Sequence, residues 1–193
     1  MQRGYVGAGA TRRLSPPIKW RARRPPLVTQ ALIVERDWVL APEIYGQPAA
    51  TQYAHDLFME CVKPIADSGF PVIILADFEA VGAGHVKRWV AWRVLLRTVS
   101  ILHRRDIRVY GFVCCTHTPE QACSCRKPST GQLEICRDEF NIELERSAYL
   151  GAKLSDLEAG ITVGIPTFLV SPQAASAYAQ GFEKAHEALL SHA

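Results

Sequence analysis

The stretch Pro71-Val72-Ile73-Ile74-Leu75-Ala76-Asp77, with the segments 85–103 and Arg108–Val113 that follow it, decides the fold. The first is a short, continuous apolar run that breaks at Asp77. Such a run is too brief for a helix and suits a strand covered on both faces, as in parallel sheets. Residues 85–103 place Val86, Trp89, Val90, Val94, Leu95, Val99 and Leu102 at helical spacing. Arg108–Val113 then returns to a strand-like pattern. Strand, long helix, strand is the unit that builds parallel sheets with right-handed crossovers.

The same alternation extends in both directions. Val28–Val34 reads as a buried strand that ends at Glu35-Arg36-Asp37, and residues 51–67 carry Tyr53, Leu57, Cys61 and Ile65 at helical spacing. Gly69 stands where a helix-ending glycine belongs. Downstream, residues 131–141 read as a helix and Ala148-Tyr149-Leu150-Gly151 as a strand end. Ser155–Ile161 reads as a short helix, Thr167–Val170 as a strand and Gln173–Leu190 as a surface helix. The order predicts an α/β fold, an open parallel sheet with helices on both faces. Ligands in such sheets sit at the C-terminal ends of the strands. We therefore expect an extended N-terminal arm over residues 1–28 and one domain over 29–193.

Charge separates these two parts. Residues 1–26 carry Arg3, Arg12, Arg13, Lys19, Arg21, Arg23 and Arg24 and no acid, whereas the rest of the chain holds 15 Lys and Arg against 19 Asp and Glu. A basic segment of this kind suits an acidic protein face, and a nucleic-acid contact or an organelle-targeting role stays open beside that. No apolar run is long enough for a membrane span and no secretory leader is visible, so a cytoplasmic protein is expected.

Four of the six cysteines fall between Cys114 and Cys125, beside a histidine. Cys115, His117, Cys123 and Cys125 form the spacing C-x-H-x5-C-x-C. Three thiolates and one imidazole close a tetrahedral shell around Zn²⁺, and a full shell leaves no position for catalysis, so the expected zinc is structural. Cys114 is the alternative first ligand, but the alternation of Cys115 with His117 favours Cys115. Cys61 and Cys136 lie on apolar helical faces and read as small core residues.

This loop runs directly into Arg126-Lys127-Pro128, and further segments follow one pattern: Glu35-Arg36-Asp37-Trp38-Val39-Leu40, Ala76-Asp77-Phe78-Glu79-Ala80-Val81-Gly82-Ala83-Gly84, and Gly151-Ala152-Lys153-Leu154-Ser155-Asp156-Leu157-Glu158-Ala159-Gly160. Over residues 29–171 the chain resembles the D-glycero-D-manno-heptose-1,7-bisphosphate 7-phosphatases of the haloacid dehalogenase superfamily. The resemblance implies a Rossmannoid three-layer sandwich with a central parallel sheet, a zinc-binding loop and no large cap domain.

The resemblance also implies roles, and several positions depart from them. The nucleophile position, an aspartate in the family, holds Glu35, whose carboxylate is displaced by one carbon; about 1 Å of misplacement costs on the order of 100-fold. Asp37 keeps the acid/base position. Trp38 replaces a glycine, Ala76 the hydroxyl that holds phosphate, and Ala152 the principal magnesium ligand. Arg126, Lys127 and Lys153 remain as candidate phosphate-binding side chains, Lys127 also as the lysine beside the nucleophile. Asp156 remains as a residual metal ligand or as a helix cap. Magnesium is not expected to bind.

These departures favour a catalytically impaired phosphatase relative acting as a binding module or subunit, with the basic arm meeting a protein partner. One competing expectation is an active phosphatase acting on a sugar phosphate or a similar small ester. Another is a sensor that binds a phosphorylated small molecule without cleaving it. Trp38, Phe78 and Trp89 are candidates for an interface, although the spacing of Trp89 favours helix core.

Overall fold

The structure, a computed structural model, describes residues 14–22, 29–37, 48–171 and 173–192. Trp38 and most of the basic arm's arginines lie outside the described residues.

Among the described residues, six strands form one sheet in the order β1-β4-β3-β2-β5-β6. These are β1 (Ile18–Arg21), β2 (Leu32–Glu35), β3 (Val72–Asp77), β4 (Val109–Cys115), β5 (Ala148–Gly151) and β6 (Thr167–Leu169). β2 to β6 run parallel, and β1 alone is antiparallel, against β4. The helices are α1 (Pro48–Asp67), α2 (Glu79–Gly82), α3 (Arg88–His103), α4 (Gly131–Asp138), α5 (Leu154–Val163) and α6 (Ala175–Leu190). The five expected strands all form, and the sheet is the mostly parallel one that the alternation predicts.

Strand periodicity divides the core in two. Leu32, Val34, Val72, Ile74 and Phe112 face one side, where Phe58 and Val62 of α1, Leu95 and Val99 of α3, and Tyr178 and Phe182 of α6 cover them. Ile33, Ile73, Leu75 and Val113 face the other side, beneath Leu133 and Cys136 of α4 and Ala159 of α5. The result is three layers, helix–sheet–helix. Gly69, at φ +91°, ends the chain's turn after α1, in a conformation that favours glycine.

Two local readings are corrected by the packing. α3 begins at Arg88 and buries Ala91, Leu95, Thr98, Val99 and Leu102. Trp89 falls off that face and is 59% exposed, while Trp92 supplies the aromatic contact, edge-on to Phe112 at 5.3 Å. The arm also contributes to the sheet: Ile18 is buried and Trp20 stacks on Phe112 at 5.8 Å, so Ile18–Arg21 extend the β4 edge. Among the described residues, no helix is long and apolar enough to cross a membrane.

Candidate functional site

Two polar centres lie side by side at the C-terminal ends of β2, β3 and β4. In register, Asp77 pairs with Cys115, and the Phe78 N–H donates to the Cys115 carbonyl at 2.8 Å. Asp77 begins one centre and Cys115 the other.

The first centre is built around Lys127. Its Nζ lies 2.5 Å from Glu35 Oε2, 3.2 Å from Asp77 Oδ2 and 4.0 Å from Asp156 Oδ1. The side chains of Lys127, Glu35 and Asp156 are only 5%, 4% and 1% exposed. Strand parity explains why they meet. Asp77 continues the Ile73, Leu75 face of β3, and Tyr149 points the same way from β5 beneath α5. The cluster therefore seals the strand-end border of the α4–α5 half of the core.

Every carboxylate in it has protein donors. The Tyr149 hydroxyl donates to Asp156 Oδ1 at 3.2 Å and approaches Glu35 Oε2 at 3.4 Å. Gln132 Nε2 donates to Asp77 Oδ1 at 2.8 Å. Asp156 Oδ2 accepts the backbone N–H groups of Ala152 and Lys153, both at 2.9 Å, and so caps α5. Gly151 makes room for this: a Cβ there would lie 2.4 Å from the Asp156 Cβ.

One ammonium faces three carboxyl groups, and the electrostatics follow. Burial raises Glu35 to about 8, with Lys127 lowering it and Asp77, Asp156 and Asp37 adding repulsion. Burial pulls Lys127 down, but the surrounding carboxylates outweigh it and hold the ammonium charged. Glu35 thus holds its proton well above the usual carboxylate range. Burial and the same carboxylates raise the Tyr149 phenol well above its ordinary value, which keeps it a hydrogen-bond donor.

The other residues singled out in the sequence lie around this cluster. Asp37 Oδ1 pairs with Arg36 Nη1 at 2.5 Å, and the Arg36 guanidinium stands over the Phe78 ring at 5.3 Å. Ala76 is fully buried and Ala152 partly so, both against the α1–α3–α6 half of the core. Arg126 bonds Glu79 at 2.8 Å and the His117 carbonyl at 3.0 Å. Asp77, Gln132 and Tyr149 join the centre without having been singled out.

The second centre is the cysteine–histidine loop. The ligand atoms of Cys115, His117, Cys123 and Cys125 lie within 4.8 Å of one another. Cys115 Sγ and Cys125 Sγ are each 3.6 Å from Cys123 Sγ, and His117 Nδ1 is 3.2 Å from Cys125 Sγ and 3.5 Å from Cys115 Sγ. A tetrahedral ion with bonds of about 2.0–2.3 Å requires edges of roughly 3.4–3.8 Å, so the four residues could hold a metal ion. A hydrogen bond from Cys125 and one from the His117 backbone N–H lower the Cys115 thiol to about 5, towards the thiolate that metals bind. Cys114 points into the core instead, as strand alternation requires. The neighbouring elements sit close against this loop: a Cβ on Gly82 would fall 2.7 Å from the Thr116 carbonyl oxygen.

Comparison with known proteins agrees with this architecture. No protein-family model matches the chain. It is 25% identical over 143 residues to the D-glycero-alpha-D-manno-heptose-1,7-bisphosphate 7-phosphatase of Campylobacter jejuni, covering 74% of this chain and 82% of that one. Other curated heptose-bisphosphate phosphatases match over 62 to 64% of their own length. Among solved structures, a HAD-like phosphatase from Mesorhizobium loti superposes with a TM-score of 0.68 at 19% identity, covering 90% of this chain and 94% of that one. The D,D-heptose 1,7-bisphosphate phosphatase of B. bronchiseptica, solved with magnesium and phosphate, gives 0.63 at 18% identity, over 85% of this chain and 99% of that one. The chain is thus similar in sequence to curated heptose-1,7-bisphosphate 7-phosphatases and shares its fold with solved HAD-like phosphatases.

Proposed function

We propose that this chain keeps the phosphatase fold without the phosphatase reaction, and serves as a zinc-stabilised binding module or subunit. The observation that carries the reading is the engagement of the buried carboxylates. Asp156 spends both oxygens on two backbone N–H groups and a tyrosine hydroxyl, and Glu35 meets Lys127 and Tyr149. Magnesium requires near-octahedral oxygens converging on one point, and these oxygens converge on an ammonium instead. At position 152, where the resemblance implies a metal ligand, an alanine methyl supplies none.

Zinc is the metal we assign to the loop, because three thiolates and one imidazole at tetrahedral separations suit it and leave no open coordination position. The ion would hold the segment that leads into Arg126 and Lys127. The partner we propose is an acidic protein surface that meets the basic N-terminal segment.

The test is phosphate release by the full chain with Mg²⁺ over a panel of sugar phosphates, heptose 1,7-bisphosphate included. No release above the blank is expected. Release that disappears in Glu35→Ala would overturn the reading in favour of an active phosphatase.

A further inference from the structure

His117 faces the metal loop with Nδ1, and its Nε2 lies 2.8 Å from the Ser15 backbone carbonyl. A carbonyl can only accept, so Nε2 carries the proton and donates it. In the neutral ring Nδ1 is then a bare lone pair, aimed at the space between Cys115 and Cys125. That is the tautomer a metal needs, and it is selected by a residue of the N-terminal arm.

The arm is built to place this carbonyl. The β1–β4 register pairs Ile18 with Cys114 and Trp20 with Phe112. Carried upstream without a slip, it sets Ser15 opposite His117. Pro16 and Pro17 donate no N–H, so ladder bonding stops before them, yet they hold the preceding backbone extended. Arg88 fastens the segment from the side. Its Nη2 donates to the Pro16 carbonyl at 2.5 Å, and its Nη1 approaches Thr116 Oγ1 at 3.2 Å and Ser15 Oγ at 3.4 Å.

We propose that the Ser15 carbonyl is a positioning group for the metal site, and that metal binding and docking of β1 are therefore coupled. The inference rests on the assignment of a metal to the loop. Coupling is reciprocal: whatever lifts β1 weakens the metal, and removing the metal loosens β1. A partner that engages the arm would then sense whether the loop is loaded.

Two measurements on the full chain test this. The first compares Zn²⁺ affinity, by competition with a chromophoric chelator, between the natural chain and one with a single glycine inserted between Pro17 and Ile18. The insertion leaves β1 and all four ligands intact but moves the carbonyl out of register. Affinity should fall about 10- to 100-fold, the usual cost of losing an outer-shell partner. The second needs no variant: amide exchange of residues 18–22 in the natural chain, before and after chelation. Exchange there should quicken at least tenfold more than at residues 148–151 of β5, whose change reports the global loss of stability. Equal affinities, or unchanged exchange at 18–22, overturn the coupling even though zinc binds. A natural chain that takes up no zinc overturns the metal assignment itself, a different result from either.

Discussion

The two polar centres at the strand ends stand one residue pair apart in register and are completed in opposite ways. The cysteine–histidine loop brings four ligand atoms within 4.8 Å of one another. Its sulfur and nitrogen atoms are 3.2 to 3.6 Å apart in four of their six pairs. The Lys127 cluster has its cation already, and every one of its carboxylates meets a protein donor. A site suited to an ion keeps its ligand atoms convergent. A site that has been closed distributes them. That contrast, more than any one substitution, is what the proposal of one retained and one lost metal site rests on.

The comparison can be broken from several directions. The largest effect should come from the open centre. Cys125→Ser should abolish stoichiometric zinc in elemental analysis and cost at least about 5 kcal/mol, since metal binding here is folding free energy. Calorimetric unfolding that matches the natural chain would show the loop stands without metal. Next is the closed centre. Lys127→Met leaves Glu35, Asp77 and Asp156 without their cation, and breaking a buried pair costs about 3–5 kcal/mol. For a domain of this size that is a fall in Tm of roughly 10 °C.

A pH titration sharpens the same point. Glu35 binds its proton more tightly in the fold than in the open chain, so its stabilising contribution is complete below about pH 4.5 and is lost as pH rises through about 8. Stability should fall by about 2–3 kcal/mol between pH 6 and 8, and Glu35→Gln should flatten that slope. An unchanged slope in the variant would assign the titration elsewhere. The smallest effect belongs to the solvent-facing pair of Arg126 and Glu79. Glu79→Gln should cost well under 1 kcal/mol, with Tm within about 2 °C, because water screens that pair as it cannot screen Lys127.

Much of this was legible in the residues because it rests on periodicity. Apolar runs such as Val72–Leu75 sit under helices on both faces, so their pattern carries the fold directly. Cys115, His117, Cys123 and Cys125 were legible because metal chemistry restricts both ligand type and spacing. β1 was not read as a strand, although Ile18 and Trp20 alternate with Lys19 and Arg21. Short, charged edge strands look like arms when arginine and proline surround them. Trp89 misled for a related reason: in the first turn of α3, a residue at helical spacing still points away from the sheet.

The closed centre was harder to read. Tyr149 and Gln132 join it only because β5 and α4 reach the same strand ends. Asp77 had a signal, its parity with Ile73 and Leu75, but parity alone does not say that Lys127 waits opposite. A lysine after a metal loop gives no hint that it will be almost wholly buried among three carboxylates. Burial of charge is a property of the assembled core.

The central claim is that the strand-end carboxylates are closed to a divalent ion. The most direct measurement is Mn²⁺ titration of the zinc-loaded chain by electron paramagnetic resonance, with Mn²⁺ standing in for magnesium. The free-ion signal should track added Mn²⁺ with no saturable site through millimolar concentrations, in the natural chain and in Asp156→Asn alike. One saturable site per chain in the natural protein, lost in Asp156→Asn, would contradict it.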